Sequence, residues 1–342
     1  MQTGFRIGIE LEVLLSHRKK TRDQFEDLEA FANALIVDLE TVHSRASRRP
    51  RPRVHNDVDG VYEGEEEIEW SLTDDITIKP DNSNQWPLEL VSPILSYNKQ
   101  GDWREHVREL LRSVRKICRI ESNASCGFHV HISPPEGTSW DLDSLKSICR
   151  AIFYFEGAIN TILPANRRNN EYAASNLREN SRLRGKDLRN CLKTIDDCQN
   201  NVDFADLMND NGKRYFAWNF TNLYCGGKYT VEFRQAPGVS DESASLPWIE
   251  FVVLFINSSQ GISNPQQLSR FSQDVRGLLG FLREFDMPDS DHAVLHNLFR
   301  GKTGLIDPAP TKTLTTEERQ NFMAKEREAK AKNLIMKKLQ ST

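Results

Sequence analysis

The sequence lacks the motifs by which nucleotide-binding and zinc-binding proteins are most often identified. Its six cysteines, at positions 118, 126, 149, 191, 198 and 225, form no Cys-x-x-Cys pair, which argues against a zinc knuckle. The stretch Gly226-Gly227-Lys228-Tyr229 has neither the upstream glycine nor the Ser or Thr of a P-loop, and no Gly-x-Gly-x-x-Gly follows a strand. If the protein binds a nucleotide, we therefore expect it to do so on a sheet and through metal ions.

Long apolar runs and an excess of positive charge are also missing. The 342 residues carry a net charge of −4, with 38% hydrophobic and 27% charged residues, and the isoelectric point is about 6.1. No run approaches transmembrane length, and no apolar signal segment precedes the first strand. We therefore expect a cytoplasmic protein with reduced thiols and without a nucleic-acid or membrane partner.

The segment from residue 126 to 133 alternates polar and apolar side chains with the period of two that is typical of a strand. As a strand it would place His129, His131 and Ser133 on one face. The opposite face would enter a core with three apolar residues, Phe128, Val130 and Ile132. We predict that this strand carries part of a functional site.

Two further segments repeat this pattern with ionisable residues two positions apart. Near the N-terminus, Glu10 and Glu12 alternate with apolar residues, and far downstream Glu232 and Arg234 do the same. Glu89 lies in a short apolar strand, where a buried carboxylate would need a cation, a metal or solvent. The sequence therefore predicts one sheet whose polar face lines a site.

The predicted polar face combines four carboxylates with one imidazole: Glu10, Glu12, Glu89, Glu232 and His129. Sites rich in oxygen ligands suit Mg²⁺ or Mn²⁺ better than zinc. Arg234 adds a planar cation that could bind a phosphate or a carboxylate. Metals together with an arginine indicate phosphoryl transfer. We expect replacement of Arg234 by alanine to leave folding nearly intact, because a site face contributes little apolar packing.

The rest of the chain predicts helices that accompany this sheet, in an α+β fold. We expect helices over residues 22–42, 103–118, 141–162, 187–199 and 243–260, and a hairpin over 68–78 that turns at Asp74-Asp75. Residues 1–300 would form one catalytic domain. A surface insertion is expected at 43–66, with a basic run at 44–53, and a charged helical extension at 301–342.

Four segments, in order, resemble the amidoligases of the glutamine synthetase and glutamate–cysteine ligase superfamily. They are residues 8–12 (Gly-Ile-Glu-Leu-Glu), 89–93 (Glu-Leu-Val-Ser-Pro), 127–131 (Gly-Phe-His-Val-His) and 231–234 (Val-Glu-Phe-Arg), and the resemblance spans about residues 5–260. It implies a curved antiparallel sheet that holds ATP and two or three Mg²⁺ ions. It also implies that a carboxylate is activated as an acyl phosphate, which an amine then converts to an amide.

The resemblance also implies roles for individual residues. Three would bind the metal beside the transferring phosphate, namely Glu10, His129 and Glu232, whereas Glu12 and Glu89 would bind the other metal. The catalytic set would be Arg234, Glu232 and Glu89, with Arg234 steadying the transferred phosphoryl group. Contacts to the nucleotide, phosphate or substrate would come from His131, Ser133, Lys213, Arg214 and Asn219. One departure is the segment 123–126, which replaces a glycine-richer approach to the histidines and leaves the substrate pocket unassigned.

Three alternatives remain open at this point. A cupin-like metalloprotein would use His129, His131 and Glu136, although Pro134-Pro135 interrupts that strand and the other carboxylates would have no role. A metal-dependent hydrolase is the second alternative, although no serine or cysteine nucleophile motif is present. A non-catalytic, ligase-like binding protein is the third. The sequence specifies neither the carboxylate and amine substrates nor the oligomeric state.

Overall fold

The fold is given by a computed structural model of the chain. The structure describes residues 4–43, 52–58, 68–97, 102–224, 229–285, 287 and 290–311, together with 315–317, 319–320 and 323–324. Two compact units are formed. The first unit comprises Met1–Val130 and Pro237–Trp248, and the second comprises His131–Ala236 and Ile249–Thr342. The described helices include none that is both long enough and apolar enough to cross a membrane.

Nine strands lie in the described residues: β1 (Arg6–His17), β2 (Val54–Asn56), β3 (Trp70–Thr73), β4 (Trp86–Val91), β5 (Leu95–Ser96), β6 (Cys118–Glu121), β7 (Gly127–Ser133), β8 (Trp218–Asn219) and β9 (Val231–Pro237). Eight α-helices accompany them: α1 (Leu28–His43), α2 (Asp102–Ile117), α3 (Leu142–Ile162), α4 (Leu188–Asp196), α5 (Asn201–Met208), α6 (Glu242–Gln260), α7 (Val275–Glu284) and α8 (His292–Phe299). This content confirms the prediction of an α+β protein.

Strand β1 is the centre of the sheet in the first unit. It pairs antiparallel with β4, β5 and β6, and β4 pairs antiparallel with β3. The short strand β2 pairs parallel with β3, and the strand order of this unit is β2-β3-β4-β1-β7. In the second unit the order is β7-β9-β8, and the pair β8–β9 is antiparallel. The sheet is therefore mixed and mostly antiparallel, whereas its predicted resemblance to glutamine synthetase stays a prediction.

The odd-numbered residues of β1 anchor the core of the first unit. Leu11 and Val13 are completely buried, and they alternate with the glutamates of the same strand, as the period of two requires. Helices α1 and α2 pack against each other, and Phe31 of α1 stacks on Trp86 of β4 with ring centroids 5.2 Å apart. Burial of large apolar side chains, worth about 1.5–3 kcal/mol each, thus holds β1 and β4 in place.

The core of the second unit is aromatic. Trp218 of β8 lies 4.8 Å from Phe233 of β9 and 5.2 Å from Phe255 of α6, measured between ring centroids. Phe255 in turn contacts Phe155 of α3, and Phe155 lies 4.9 Å from Phe281 of α7. Because Phe233 faces this core, the alternation along β9 turns Glu232 and Arg234 to the other face.

Several sequence predictions need correction. Helix α1 begins at Leu28, after a 3-10 turn at Arg22–Gln24, and not at residue 22. The hairpin predicted over 68–78 does not form, because β3 pairs with β4 instead and the chain turns between them. Within the predicted insertion 43–66, residues 54–56 are strand β2, while most of the basic run 44–53 lies outside the described residues.

The start of the predicted C-terminal extension packs on the second unit. The backbone N–H of Ile306 donates to the carbonyl of Gly157, and the Asn160 side chain donates to the carbonyl of Ile306 at 3.1 Å. Between residues 315 and 324, the described residues 316–317, 319–320 and 323–324 are helical, and the remainder of the extension lies outside the described residues. The division into a domain at 1–300 and an extension at 301–342 stays a prediction.

Candidate active site

Three glutamates meet on neighbouring strands of the first unit. Glu10 and Glu12 are two residues apart on β1, so their side chains share a face. The antiparallel register places Glu12 directly opposite Glu89 of β4. Like charges at directly opposite positions destabilise a sheet, so this arrangement favours a cation between the carboxylates.

His129 of β7 has a carboxylate at each ring nitrogen. Its Nδ1 lies 2.8 Å from Glu10 Oε2, and its Nε2 lies 3.6 Å from Glu12 Oε1. The imidazole is only 3% exposed. A neutral imidazole carries one N–H, so the lone pair of its other nitrogen faces a carboxylate oxygen, which is an electrostatic mismatch. A metal ion would relieve this mismatch.

Glu12 is fixed in position by the backbone of β7. Its Oε2 accepts a hydrogen bond of 2.6 Å from the backbone N–H of Gly127, and the side chain is buried. That bond leaves Oε1 as the oxygen on the side of His129. A carboxylate held in this way is preorganised, because one oxygen is anchored and the other is presented to a ligand.

Asp75 joins this group, although the sequence had suggested only a turn. Glu12, Asp75 and Glu89 each offer an oxygen, and these three oxygens lie within 4.8 Å of one another. The Oδ1 of Asp75 accepts from the backbone N–H and the hydroxyl of Thr77, at 2.7 and 2.6 Å. Thr73 donates to Glu89 Oε2 at 3.2 Å. Asp75 is thus a candidate ligand that the sequence analysis missed.

A second set of ligand atoms in the first unit comes from Glu10, Glu89 and His129, also within 4.8 Å of one another. Glu89 therefore belongs to both sets, next to Glu12 and Asp75 in one and next to Glu10 and His129 in the other. Carboxylate oxygens with a single imidazole nitrogen suit Mg²⁺ or Mn²⁺. The four first-unit residues predicted as ligands are thus brought together, and their chemistry fits such a cation.

In the second unit, Glu232 and Arg234 of β9 form a buried ion pair. Arg234 Nη1 donates to Glu232 Oε1, and the two residues are only 3% and 2% exposed. Asn219, which lies opposite Glu232 in the β8–β9 register, donates its side-chain amide to Glu232 Oε2 at 2.7 Å. Both oxygens of Glu232 are therefore oriented by neighbours on the same sheet.

The guanidinium of Arg234 is held on several sides. Its Nε donates to the carbonyl of Tyr172 at 3.2 Å, and its central carbon lies 5.9 Å from the centroid of the Tyr215 ring. The Arg167 side chain donates to the Arg234 carbonyl at 2.8 Å. This burial corrects the expectation that Arg234 contributes little to folding. Its loss would leave Glu232 as a buried carboxylate without its cation.

His131 lies beside the same ion pair. Its Nε2 is 3.7 Å from Glu232 Oε1, and its Nδ1 is 3.3 Å from the hydroxyl of Thr230. Ser133 is buried at the end of β7. Lys213 is exposed and contributes its carbonyl to a bond from Asn209, whereas Arg214 lies 5.7 Å from the Tyr215 ring centroid. The nucleotide and substrate roles of these residues stay predictions.

Two buried residues outside the predicted set support Asn219. The Asn176 side chain donates to the Trp218 carbonyl and accepts from the Trp218 N–H, each at 2.9 Å, and so fixes the residue before Asn219. Glu156 of α3 accepts from the Ser175 hydroxyl at 3.0 Å and from the Leu177 N–H at 3.5 Å, on either side of Asn176. Burial raises the pKa of Glu156 to about 7.

Residues 3–256 match the model of a family described as "Putative amidoligase enzyme". Among solved structures, the chain is similar to a bifunctional glutathione synthetase from Pasteurella multocida, with 10% sequence identity and a TM-score of 0.36. That alignment covers 86% of this chain and 43% of the other, so this chain spans less than half the length of that protein. The comparison with curated proteins gives no match.

Proposed function

Because the chain belongs to the amidoligase family, we propose that it is an ATP-dependent ligase that joins a carboxylate to an amine through an acyl phosphate. One structural observation supports the proposal independently of the family match. Both ring nitrogens of buried His129 face glutamates, Glu10 and Glu12, on a face where Glu12 also opposes Glu89. A ligase that uses a metal-bound nucleotide needs such a group of oxygen ligands.

In this proposal the first-unit residues hold Mg²⁺ or Mn²⁺. Glu10 and His129 would bind one ion, Glu12 and Asp75 another, and Glu89 would stand between them. When bound, the ions would neutralise the phosphate oxygens of ATP. The protein's own contribution is to keep the ligands fixed before the metal arrives, as the bond from the Gly127 N–H to Glu12 illustrates. A role for Glu232 as a further ligand remains part of the proposal.

The second-unit residues would act on the phosphoryl group itself. Arg234 carries a planar cation that loses little freedom on binding, since Glu232 and the Tyr172 carbonyl already hold it. Negative charge on the equatorial oxygens of a transferring phosphoryl group would be met by the remaining guanidinium N–H groups. Asn219 keeps the second oxygen of Glu232 engaged, so Glu232 stays oriented toward the arginine.

The proposed reaction consists of two successive displacements. A carboxylate oxygen of the first substrate attacks the γ-phosphorus of ATP, the bond to the β–γ bridging oxygen breaks, and ADP leaves. The amine of the second substrate then attacks the carbonyl carbon of the acyl phosphate. The carbon–oxygen bond to phosphate breaks, inorganic phosphate leaves, and the amine nitrogen gives up a proton. The products are an amide, ADP and phosphate.

The cupin-like alternative loses support from the position of Glu136. Glu136 is exposed and lies beyond the end of β7. Among the described residues, it belongs to none of the groups of side chains that could hold a metal ion. The same observation provides a matched control. Glu136→Gln and Glu10→Gln remove the same charge at residues of the same type, but only Glu10 lies in the proposed site.

The test follows ADP and phosphate during incubation with a panel of carboxylates and amines, with Mn²⁺ binding measured in parallel. We expect Glu10→Gln to weaken Mn²⁺ binding and abolish amide formation, and Glu136→Gln to change neither. Oxygen-18 in the carboxylate should appear in the released phosphate, which is the signature of an acyl phosphate. Release of AMP and pyrophosphate would instead establish adenylation, and a chain that binds no nucleotide at any Mn²⁺ concentration would overturn the ligase proposal.

A further inference from the structure

A polar cleft lies in the first unit at the C-terminal end of β1. It has a volume of about 440 Å³, within the range of small-molecule sites, but its wall is polar. Strands β1 and β6 and the turn at Arg22 contribute to it. Three arginines, Arg18, Arg22 and Arg119, line it together with a single carboxylate, Glu121.

Arg18 and Arg22 are anchored by carbonyl groups and not by carboxylates. Arg18 Nε donates to the carbonyls of Arg115 and Cys118, at 2.7 and 3.2 Å. Arg22 Nη1 donates to the carbonyl of Gln85 at 2.5 Å, and its guanidinium carbon lies 3.6 Å from the centroid of the Trp86 ring. These contacts fix the two guanidiniums in place without neutralising their charge.

Arg119 of β6 is exposed, and in the described part of the chain no carboxylate forms an ion pair with Arg18, Arg22 or Arg119. The other cation of the wall is already neutralised, because Lys20 lies 2.9 Å from Asp38. Glu121 accepts a bond of 3.0 Å from the Gln85 side chain. The cleft therefore carries an excess of positive charge in a chain whose net charge is −4.

An apolar wall separates this cleft from the carboxylates of the candidate active site. Glu12, Leu14 and Ser16 follow one another on the same face of β1, and Ser16 lines the cleft about 13 Å from Glu12 at 3.3 Å per residue. Leu14 between them is completely buried against Ile78 and Cys126. The same face of β1 therefore carries Glu12 of the acidic group and, nearer its C-terminal end, Ser16 of the basic cleft.

We propose that this cleft binds a small polyanion that carries phosphate or carboxylate groups, at a site separate from the metal ligands. Each guanidinium offers two parallel N–H donors to such a group. Arg18 and Arg22 lose little side-chain freedom on binding, because carbonyl groups already anchor them. The side chains of Asn82 and Asn84 line the same cleft and offer further donors. The ligand would be an effector or an additional part of a substrate.

The experiment measures binding to the whole chain by calorimetry after metal ions have been removed with a chelating resin. No metal can then hold an anion at the carboxylates, and no soluble chelator competes for the cleft. Pyrophosphate and citrate are the two probes, and they separate phosphate from carboxylate chemistry. We expect one site per chain for at least one probe, with affinity that falls as NaCl is raised. Arg119→Gln should weaken binding by about tenfold or more, because one charge-assisted bidentate contact is lost.

Arg189→Gln is the matched control, since Arg189 of α4 is also an exposed arginine and lies outside the cleft. It removes the same charge and should leave the affinity within about twofold, because Arg189 is not among the residues that line the cleft. Arg22→Gln should weaken binding as Arg119→Gln does, and thermal unfolding checks that each variant is folded. Absence of binding for both probes, or equal losses in Arg119→Gln and Arg189→Gln, would overturn the proposal. Neither result would bear on the ligase proposal, which requires metal.

Discussion

Glu12 of β1 stands directly opposite Glu89 of β4, so two carboxylates share one cross-strand position. Without a cation this pair is repulsive, and with a cation it is a pair of ligands. A single substitution should therefore act in opposite directions on the metal-free and metal-bound proteins. Effects of opposite sign on the two forms are a sharper test than loss of activity, because general misfolding would lower the stability of the metal-free and the metal-bound protein alike.

We predict that Glu89→Gln raises the stability of the metal-free protein by roughly 0.5–1 kcal/mol and weakens Mn²⁺ binding by about tenfold or more. The amide oxygen can still accept the bond that Thr73 donates to Glu89, so the fold has no reason to change. Thermal unfolding with EDTA and with Mn²⁺ measures both effects. If EDTA-treated Glu89→Gln is less stable than the wild type, the repulsion on which this prediction rests is absent.

A second prediction concerns Asp75. Its Oδ1 is occupied by Thr77, and Asn at this position would keep that acceptor while removing the negative charge. Asp75→Asn should therefore fold normally and bind Mn²⁺ about tenfold more weakly. Asp74→Asn is the neighbouring control, because Asp74 is exposed. Equal Mn²⁺ affinities for the two variants would exclude Asp75 as a ligand.

Asp75 also marks the limit of what the sequence could predict. Alternation along a strand is a local property, so the shared faces of Glu10 with Glu12 and of Glu232 with Arg234 followed from the sequence alone. The place of Asp75 depends on the register in which Thr73 of β3 opposes Glu89 of β4, and that pairing joins residues distant in sequence. The predicted hairpin was wrong for the same reason.

Helix α3 shows the same contrast between features set by residues close in sequence and features set by residues far apart in sequence. The helix predicted at 141–162 is α3 at 142–162, because Asp141 caps it and a proline follows. Glu156 within it was overlooked, although a lone carboxylate in the run Phe153-Tyr154-Phe155-Glu156 is a detectable signal. Its partners, Ser175 and Leu177, belong to a polar loop whose path the sequence does not specify.

The third prediction separates the charge of Arg234 from its shape. Arg234→Lys keeps a cation beside buried Glu232 and should fold, whereas Arg234→Ala leaves Glu232 without its cation and should cost about 3–5 kcal/mol of stability. Lysine cannot reproduce the planar fork, so Arg234→Lys should lower turnover by roughly 10²-fold. Denaturant titration and ADP release measure the two effects. Wild-type turnover in Arg234→Lys would mean that Arg234 serves only to neutralise Glu232.

The last prediction concerns how stability varies with pH through Glu156. Burial raises its pKa from 4.5 to about 7, and Oε2 is buried without a hydrogen-bond partner in the described part of the chain. The folded state therefore holds a proton that the unfolded chain would release. Its stabilising contribution is complete below pH 4.5 and is lost as the pH rises through 7, in total about 3 kcal/mol. Cys191 of α4, which interacts with Glu156, stays neutral throughout because burial raises its pKa above 9.0.

Glu156→Gln should remove this dependence, because glutamine is neutral at every pH and its amide oxygen can accept from Ser175 and Leu177. The variant should be more stable than the wild type at pH 8 and should lose that advantage near pH 4.5. Denaturant unfolding at several pH values, taken as the difference between wild type and variant, isolates this group from all others that titrate. Glu136→Gln, at an exposed position, should give a nearly flat difference. A flat difference for Glu156→Gln as well would mean that the pKa of Glu156 is not raised in the folded protein, because the bonds to the loop around Asn176 offset the cost of burying its charge.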